Sequence, residues 1–143
     1  MTVHEQAVLE RDVGHFVARH RRRVLPPTVL VGTEITGLSV ARALHRFGIP
    51  VLALDTQRRV FTGYSSALDV LVSPAVGSDE LIGLLERIAA LLPERAVLMM
   101  ATDRHVERIG LHGQHLAGRY HVELPAPDEI GRASCRERVC WIV

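Results

Sequence analysis

Residues 28–44 read Thr-Val-Leu-Val-Gly-Thr-Glu-Ile-Thr-Gly-Leu-Ser-Val-Ala-Arg-Ala-Leu, and no other stretch limits the fold as much. Thr28–Val31 has the composition of a short buried strand. A glycine-bearing turn, Gly32–Thr36, follows it. Gly37, Val40, Ala41 and Leu44 then fall on one helical face at i, i+3, i+4, i+7. Thr36 is placed to cap that helix, and Gly48 with Pro50 to end it. Val51–Asp55 is a second apolar run. Strand, helix and strand in this order make a βαβ unit, whose usual outcome is a parallel sheet with a right-handed crossover.

The turn bears directly on nucleotide binding. The dinucleotide fingerprint requires three glycines, and here the pattern is Gly32, Glu34, Gly37. A carboxylate at the middle position repels a pyrophosphate and blocks close approach of the backbone. A Walker A loop fails too, because no Gly-Lys-Ser/Thr occurs. Asp55 stands where a ribose-binding acid would, but acids are common at that position. The residues argue against NAD or FAD.

The 143 residues allow one domain with a real core. A net charge of +1 leaves no footprint for nucleic acid or an acidic surface. No apolar run is long enough to cross a bilayer, and the N-terminus lacks the basic-then-apolar plan of a secretory signal. The expectation is a cytoplasmic protein without nucleic-acid or membrane partners. Lysine is absent, which removes Schiff-base chemistry and the lysine–phosphate contact of a P-loop.

Residues 129–143 break from the composition of what precedes them. Glu129–Val139, Glu-Ile-Gly-Arg-Ala-Ser-Cys-Arg-Glu-Arg-Val, resembles a common sequencing-adapter oligonucleotide translated in frame. On that reading the native sequence breaks off near Asp128 and residues 129–143 are a non-native tail. Cys135 and Cys140 both fall in it and are not read as a disulfide, metal or redox pair. The expected organisation is a helical leader at 1–25, an α/β domain at 26–128 and the tail at 129–143.

In the leader, Ala7, Leu9, Val13, Phe16 and Val17 make a loose helical stripe. The run Arg19-His-Arg-Arg-Arg23 is read as a solvated helix end, where cations suit the negative end of the helix dipole. Its alternative is a patch for phosphate or an acidic partner. Pro26-Pro27 break the helix. In the loop after Asp55, Arg58 and Arg59 are anion candidates and Tyr64 and Ser65 cleft candidates, against an ordinary surface loop. Asp69–Ser73 is a third strand and Pro74–Gly77 a turn.

Ser78 is the expected N-cap of the next helix, with Asp79 and Glu80 in its first turn. Leu81, Ile82, Leu85, Ile88, Ala89 and Leu92 form the strongest helical stripe in the chain. Ala96–Ala101 is a fourth strand, apolar throughout, as suits a strand covered on both faces. Asp103 is the expected cap of a last helix. His105, His112 and His115, on or near it, are expected to face solvent, since no carboxylate or cysteine joins them at metal-ligand spacing. Tyr120–Leu124 is a candidate edge strand and Pro125–Pro127 a linker. The order is that of an α/β protein: a Rossmann-like open, mostly parallel sheet with helices on both faces.

Ligands of open α/β sheets bind beyond the C-terminal strand ends, where the winding reverses. With strand four beside strand one, opposite strand two, that crevice lies between Gly32–Thr36 and Thr102–Asp103. Amides at the two helix N-termini would favour an anion such as a carboxylate. Glu34 and Asp103 would suit an amine or hydroxyl. The plainer role of Thr36 and Asp103 is capping.

Val29–Leu44, then Gly48-Ile-Pro-Val51, Asp55 and Tyr64-Ser65, resemble the N-terminal pre-ATP-grasp domain of ATP-grasp carboxylate–amine ligases. Ala101-Thr-Asp103 is similar to a strand end that these proteins commonly write Thr-Ser-Asp-Glu, with a departure at Arg104. Leu124-Pro125 and Pro127-Asp128 resemble the exit toward the ATP-grasp domain. The resemblance spans Pro26 to Asp128. It implies a fragment of a ligase that phosphorylates a carboxylate with ATP and Mg2+ and lets an amine or similar nucleophile displace the phosphate.

ATP and Mg2+ belong to later lobes of such a parent, so no cofactor, catalytic residue or metal ligand is expected in this fragment. The implied partners are those missing C-terminal lobes and a small-molecule carboxylate. The substrate-cleft candidates are Gly32, Thr33, Glu34, Gly37, Asp55, Thr102 and Asp103. The alternative is a stand-alone nucleotide- or dinucleotide-binding Rossmann-like module, and a third reading is a structural half-domain without a ligand.

Overall fold

A computed structural model describes residues 2–58 and 65–124. Helix α1 (Val3–His20) opens on a capping box, with the Glu5 amide donating to Thr2 Oγ1 at 3.2 Å and the Thr2 amide to Glu5 Oε2 at 2.6 Å. Strand β1 (Thr28–Val31), helix α2 (Ile35–Arg46) and strand β2 (Val51–Asp55) form the expected βαβ unit. Gly48, at φ +73°, ends α2 in a Schellman turn: its amide donates to the His45 carbonyl and the Ile49 amide to the Leu44 carbonyl. Strand β3 (Asp69–Val72) leads through a 3₁₀ turn (Pro74–Gly77) to helix α3 (Leu81–Leu91). Strand β4 (Val97–Met100), helix α4 (Asp103–His112) and a second 3₁₀ turn (Gln114–Gly118) follow.

The four strands pair in parallel in the order β3-β2-β1-β4. The chain is therefore an α/β protein with a Rossmann-like open sheet. Side-chain alternation divides each strand between two layers. Val29, Val31, Leu52, Leu54, Leu71 and Leu98 join the larger core with α1, α3 and α4. Leu30, Val51 and Ala53 meet Leu38 and Ala41 of α2 on the other face. Leu9, Val13 and Phe16 of α1 are buried in the same cluster as Leu81, Leu85 and Ile88 of α3, so α1 shares the core of the sheet. Each such side chain contributes roughly 1.5–3 kcal/mol by leaving water.

Three helix starts differ from expectation. Thr36 is exposed inside α2, and Glu34 holds the N-cap position. Gly32 takes φ +95° and reverses the chain at once, so the helix begins before Thr36. Thr102, not Asp103, precedes α4. A 3₁₀ turn capped by Ser73 intervenes before α3, which therefore starts behind Glu80. Ser78 closes that turn and accepts the Glu80 amide at 3.3 Å. Residues 120–124 form no strand but a single parallel bridge, Val97↔His121. Tyr120 fixes this segment instead: it is fully buried and donates to the Leu85 carbonyl at 2.7 Å. Burial pushes its phenol pKa up.

Arg59, Tyr64, the linker Pro125–Pro127, and the tail with Cys135 and Cys140 lie outside the described residues. Among the described residues, no helix is long and apolar enough to cross a membrane. Gly14 is exposed in mid-α1, and nothing lies within 4 Å of where its Cβ would stand. Gly14→Ala is expected to raise stability by about 0.5–1 kcal/mol, because alanine restricts the unfolded chain and favours the helix. A rise in the urea midpoint at unchanged slope would show it.

A candidate site at the switch point of the sheet

The strand order places β2 and β4 on opposite sides of β1. The winding therefore reverses at the C-terminal end of β1, where an open α/β sheet leaves a crevice for ligands. Gly32 stands first in this region, and its amide donates to the Leu54 carbonyl at 2.9 Å. A Cβ on Gly37 would stand 2.2 Å from the Gly32 carbonyl oxygen, so α2 lies closer to β1 than any side chain allows. Two of the three fingerprint glycines thus serve their usual structural ends, the tight turn and the close helix–strand approach.

The other positions behave differently. Thr33 is fully buried, and both its amide (3.3 Å) and its hydroxyl donate to Asp55 Oδ2. The second Asp55 oxygen accepts the Thr56 amide at 2.7 Å and the Thr56 hydroxyl at 3.3 Å. Asp55 is only 4% exposed. This carboxylate latches the β1–α2 turn to the end of β2 and is turned inward. Glu34 is exposed at the start of α2 and makes no side-chain cap bond there.

Across β1, Thr102 caps the sheet side of α4 with its carbonyl, which accepts the His105 and Val106 amides at 3.1 Å. Its hydroxyl lies 2.9 Å from His105 Nδ1. His105 is buried, contrary to the expected solvent-facing ring, whereas His112 and His115 are exposed as expected. The imidazole lies against Gly32: a Cβ there would be 3.3 Å from both Cε1 and Nδ1. The signal for this burial was periodicity, since His105 precedes the fully buried Ile109 by one helical turn. Gly32 and Thr102 thus flank His105, Gly37 meets the Gly32 carbonyl from α2, and Thr33 is joined to Asp55 beside them. Asp103 is exposed in the first turn of α4 and makes no polar contact among the described residues.

Burial, and then the Arg104 and Arg108 guanidiniums, hold the His105 pKa below its ordinary value, while the charges of Asp55 and Glu34 oppose them. The imidazole is therefore neutral in the fold at a pH where the unfolded chain, near 6.5, takes up a proton. Its contribution to stability is complete above that value and is lost as pH falls below it, through the lowered folded value. The urea midpoint is expected to drop as pH falls below about 6.5, and His105→Gln to flatten that part of the profile.

The described residues contain no group of three or more His, Cys, Asp or Glu side chains that could hold a metal. Helices α2 and α4 both begin at this end of the sheet, behind Glu34 and Thr102. Compared with protein-family models, curated proteins and solved structures, the chain matches none of them.

Proposed function

We propose that this chain is the N-terminal, substrate-facing domain of a cytoplasmic ATP-dependent carboxylate–amine ligase of the ATP-grasp type, inactive by itself. The observation that carries this reading is the pairing of an inward Asp55 with an outward Glu34. Asp55 is occupied by Thr33 and Thr56, so it does not present itself to a ribose. Glu34 replaces the glycine that would admit a pyrophosphate. A crevice built this way suits a small amine- or hydroxyl-bearing substrate better than a dinucleotide, in keeping with the ordered motifs between Val29 and Asp103. Glu34 would hold the donor group, and amides at the starts of α2 and α4 a carboxylate. Phosphoryl transfer would be the work of the parent's other lobes.

The stand-alone dinucleotide module rests on Gly32 and Gly37, which keep the geometry of the first and third fingerprint positions. One experiment separates the two. Source DNA is sequenced across the Asp128–Glu129 junction, and the full reading frame is expressed. The ligase reading expects adapter sequence at the junction and a native frame running on into ATP-binding lobes. The product should release ADP and phosphate from ATP only when both a carboxylate and an amine are supplied. A native stop codon near Asp128, or saturable NAD or ADP binding by the 143-residue chain, would overturn it.

A further inference from the structure

The net charge of +1 conceals a separation of charge. Helix α1 ends beside Asp69, the first residue of β3, where Arg19 and His20 bond its carboxylate. Helix α2 ends just ahead of β2. Both C-termini therefore lie at the N-terminal edge of the sheet. The Arg23 guanidinium reaches across to α2, within 3.3 Å of where a Gly48 Cβ would stand. Arg23 and His45 also line one small cavity of about 50 Å³. The exit of α1 and the end of α2 are thus one surface.

Asp69 accounts for Arg19 and His20. Among the described residues, Arg21, Arg22, Arg23 and Arg46 enter no ion pair. Two acids share cavities with these arginines, Glu94 with Arg21 and Arg23 and Asp69 with Arg23, but neither pairs with them. The helix dipole explains cations only within the last turn. Helix α1 stops at His20 with Arg21 as its cap, so Arg22 and Arg23 lie beyond its reach. The cations are flanked by apolar side chains in water: Val24 is 95% exposed and Phe47 76%.

We infer that this edge docks onto an anionic lipid surface. Such a surface uses both features at once, lipid phosphates for the arginines and the headgroup–acyl boundary for Val24 and Phe47. An acidic polypeptide or a nucleic acid would use the charges but has no need of the protruding Val24. The inference is independent of the ligase reading.

The test is co-sedimentation of the 143-residue chain with phosphatidylcholine vesicles, with and without about one-third phosphatidylglycerol, at low and high salt. Binding is expected only with the anionic lipid, and is expected to fall with salt. The triple variant Arg21→Gln, Arg22→Gln, Arg23→Gln should weaken it about tenfold or more. Phe47→Ser should weaken it while leaving the salt dependence unchanged. All four side chains are exposed, and an unchanged melt confirms that each variant is folded. Equal binding to neutral vesicles, no binding to anionic ones, or an undiminished triple variant overturns the proposal. So does retention on polyglutamate or RNA without vesicle binding.

Discussion

Gly37→Ala is expected to destabilise the fold by about 2–4 kcal/mol, and Gly37→Val to abolish a cooperative melt. The added Cβ would meet the Gly32 carbonyl oxygen at 2.2 Å and its carbonyl carbon at 3.1 Å. Overlap with a flexible side chain is relieved by a rotamer change, but this overlap is with backbone. Gly32 has little freedom to retreat. Its amide is bonded to the Leu54 carbonyl, its φ is +95°, and the His105 ring closes the opposite side. Relief must come from moving α2 off β1, which opens the layer of Leu30, Leu38 and Ala41. Urea denaturation at neutral pH measures the loss. Gly14→Ala, the same chemical change in open space, is the control and should move the midpoint the other way. A Gly37→Ala protein as stable as the parent would show that α2 tolerates a wider spacing.

The βαβ unit was legible because each of its parts is written locally. Thr28–Val31 and Val51–Asp55 occur with the expected bounds, since short apolar runs between glycine and proline leave few alternatives. Gly48 ends its helix because only a residue tolerant of positive φ completes the Schellman turn. The caps were less legible. Thr36, Ser78 and Asp103 are all good capping residues, but the first helical residue is set by how the preceding turn leaves the strand, which is a tertiary matter. At the candidate site, Gly32, Glu34, Gly37 and Asp55 stood out as motif positions. The Thr33–Asp55 latch did not, since it joins a turn residue to the end of a strand 22 residues further on. His105 was hidden in a polar run, Asp-Arg-His-Val-Glu-Arg, whose burial follows from one helical turn of spacing to Ile109. The basic edge was hidden by its own balance, since a net charge says nothing of where charges lie.

Asp55→Ala should cost about 2–4 kcal/mol, with the loss concentrated in the turn that builds the crevice. The carboxylate is buried and accepts from the Thr33 amide and hydroxyl on one oxygen and from Thr56 on the other. Its removal leaves the Thr33 donors without their acceptor in a place that water does not reach. Thr33→Val removes only the hydroxyl and should cost less. Because the two residues act as a unit, the double variant should be less destabilised than the sum of the singles, by about 1 kcal/mol or more. Asp55→Asn keeps the shape and one acceptor oxygen, and should fall between wild type and alanine. The same variants bear on function. If Asp55 were a ribose ligand, Asp55→Ala would abolish dinucleotide binding while leaving the melt nearly unmoved, and Thr33→Val would be silent in both. A large, non-additive stability loss shared by Asp55 and Thr33, with no dinucleotide affinity to lose, is the outcome the inward carboxylate requires.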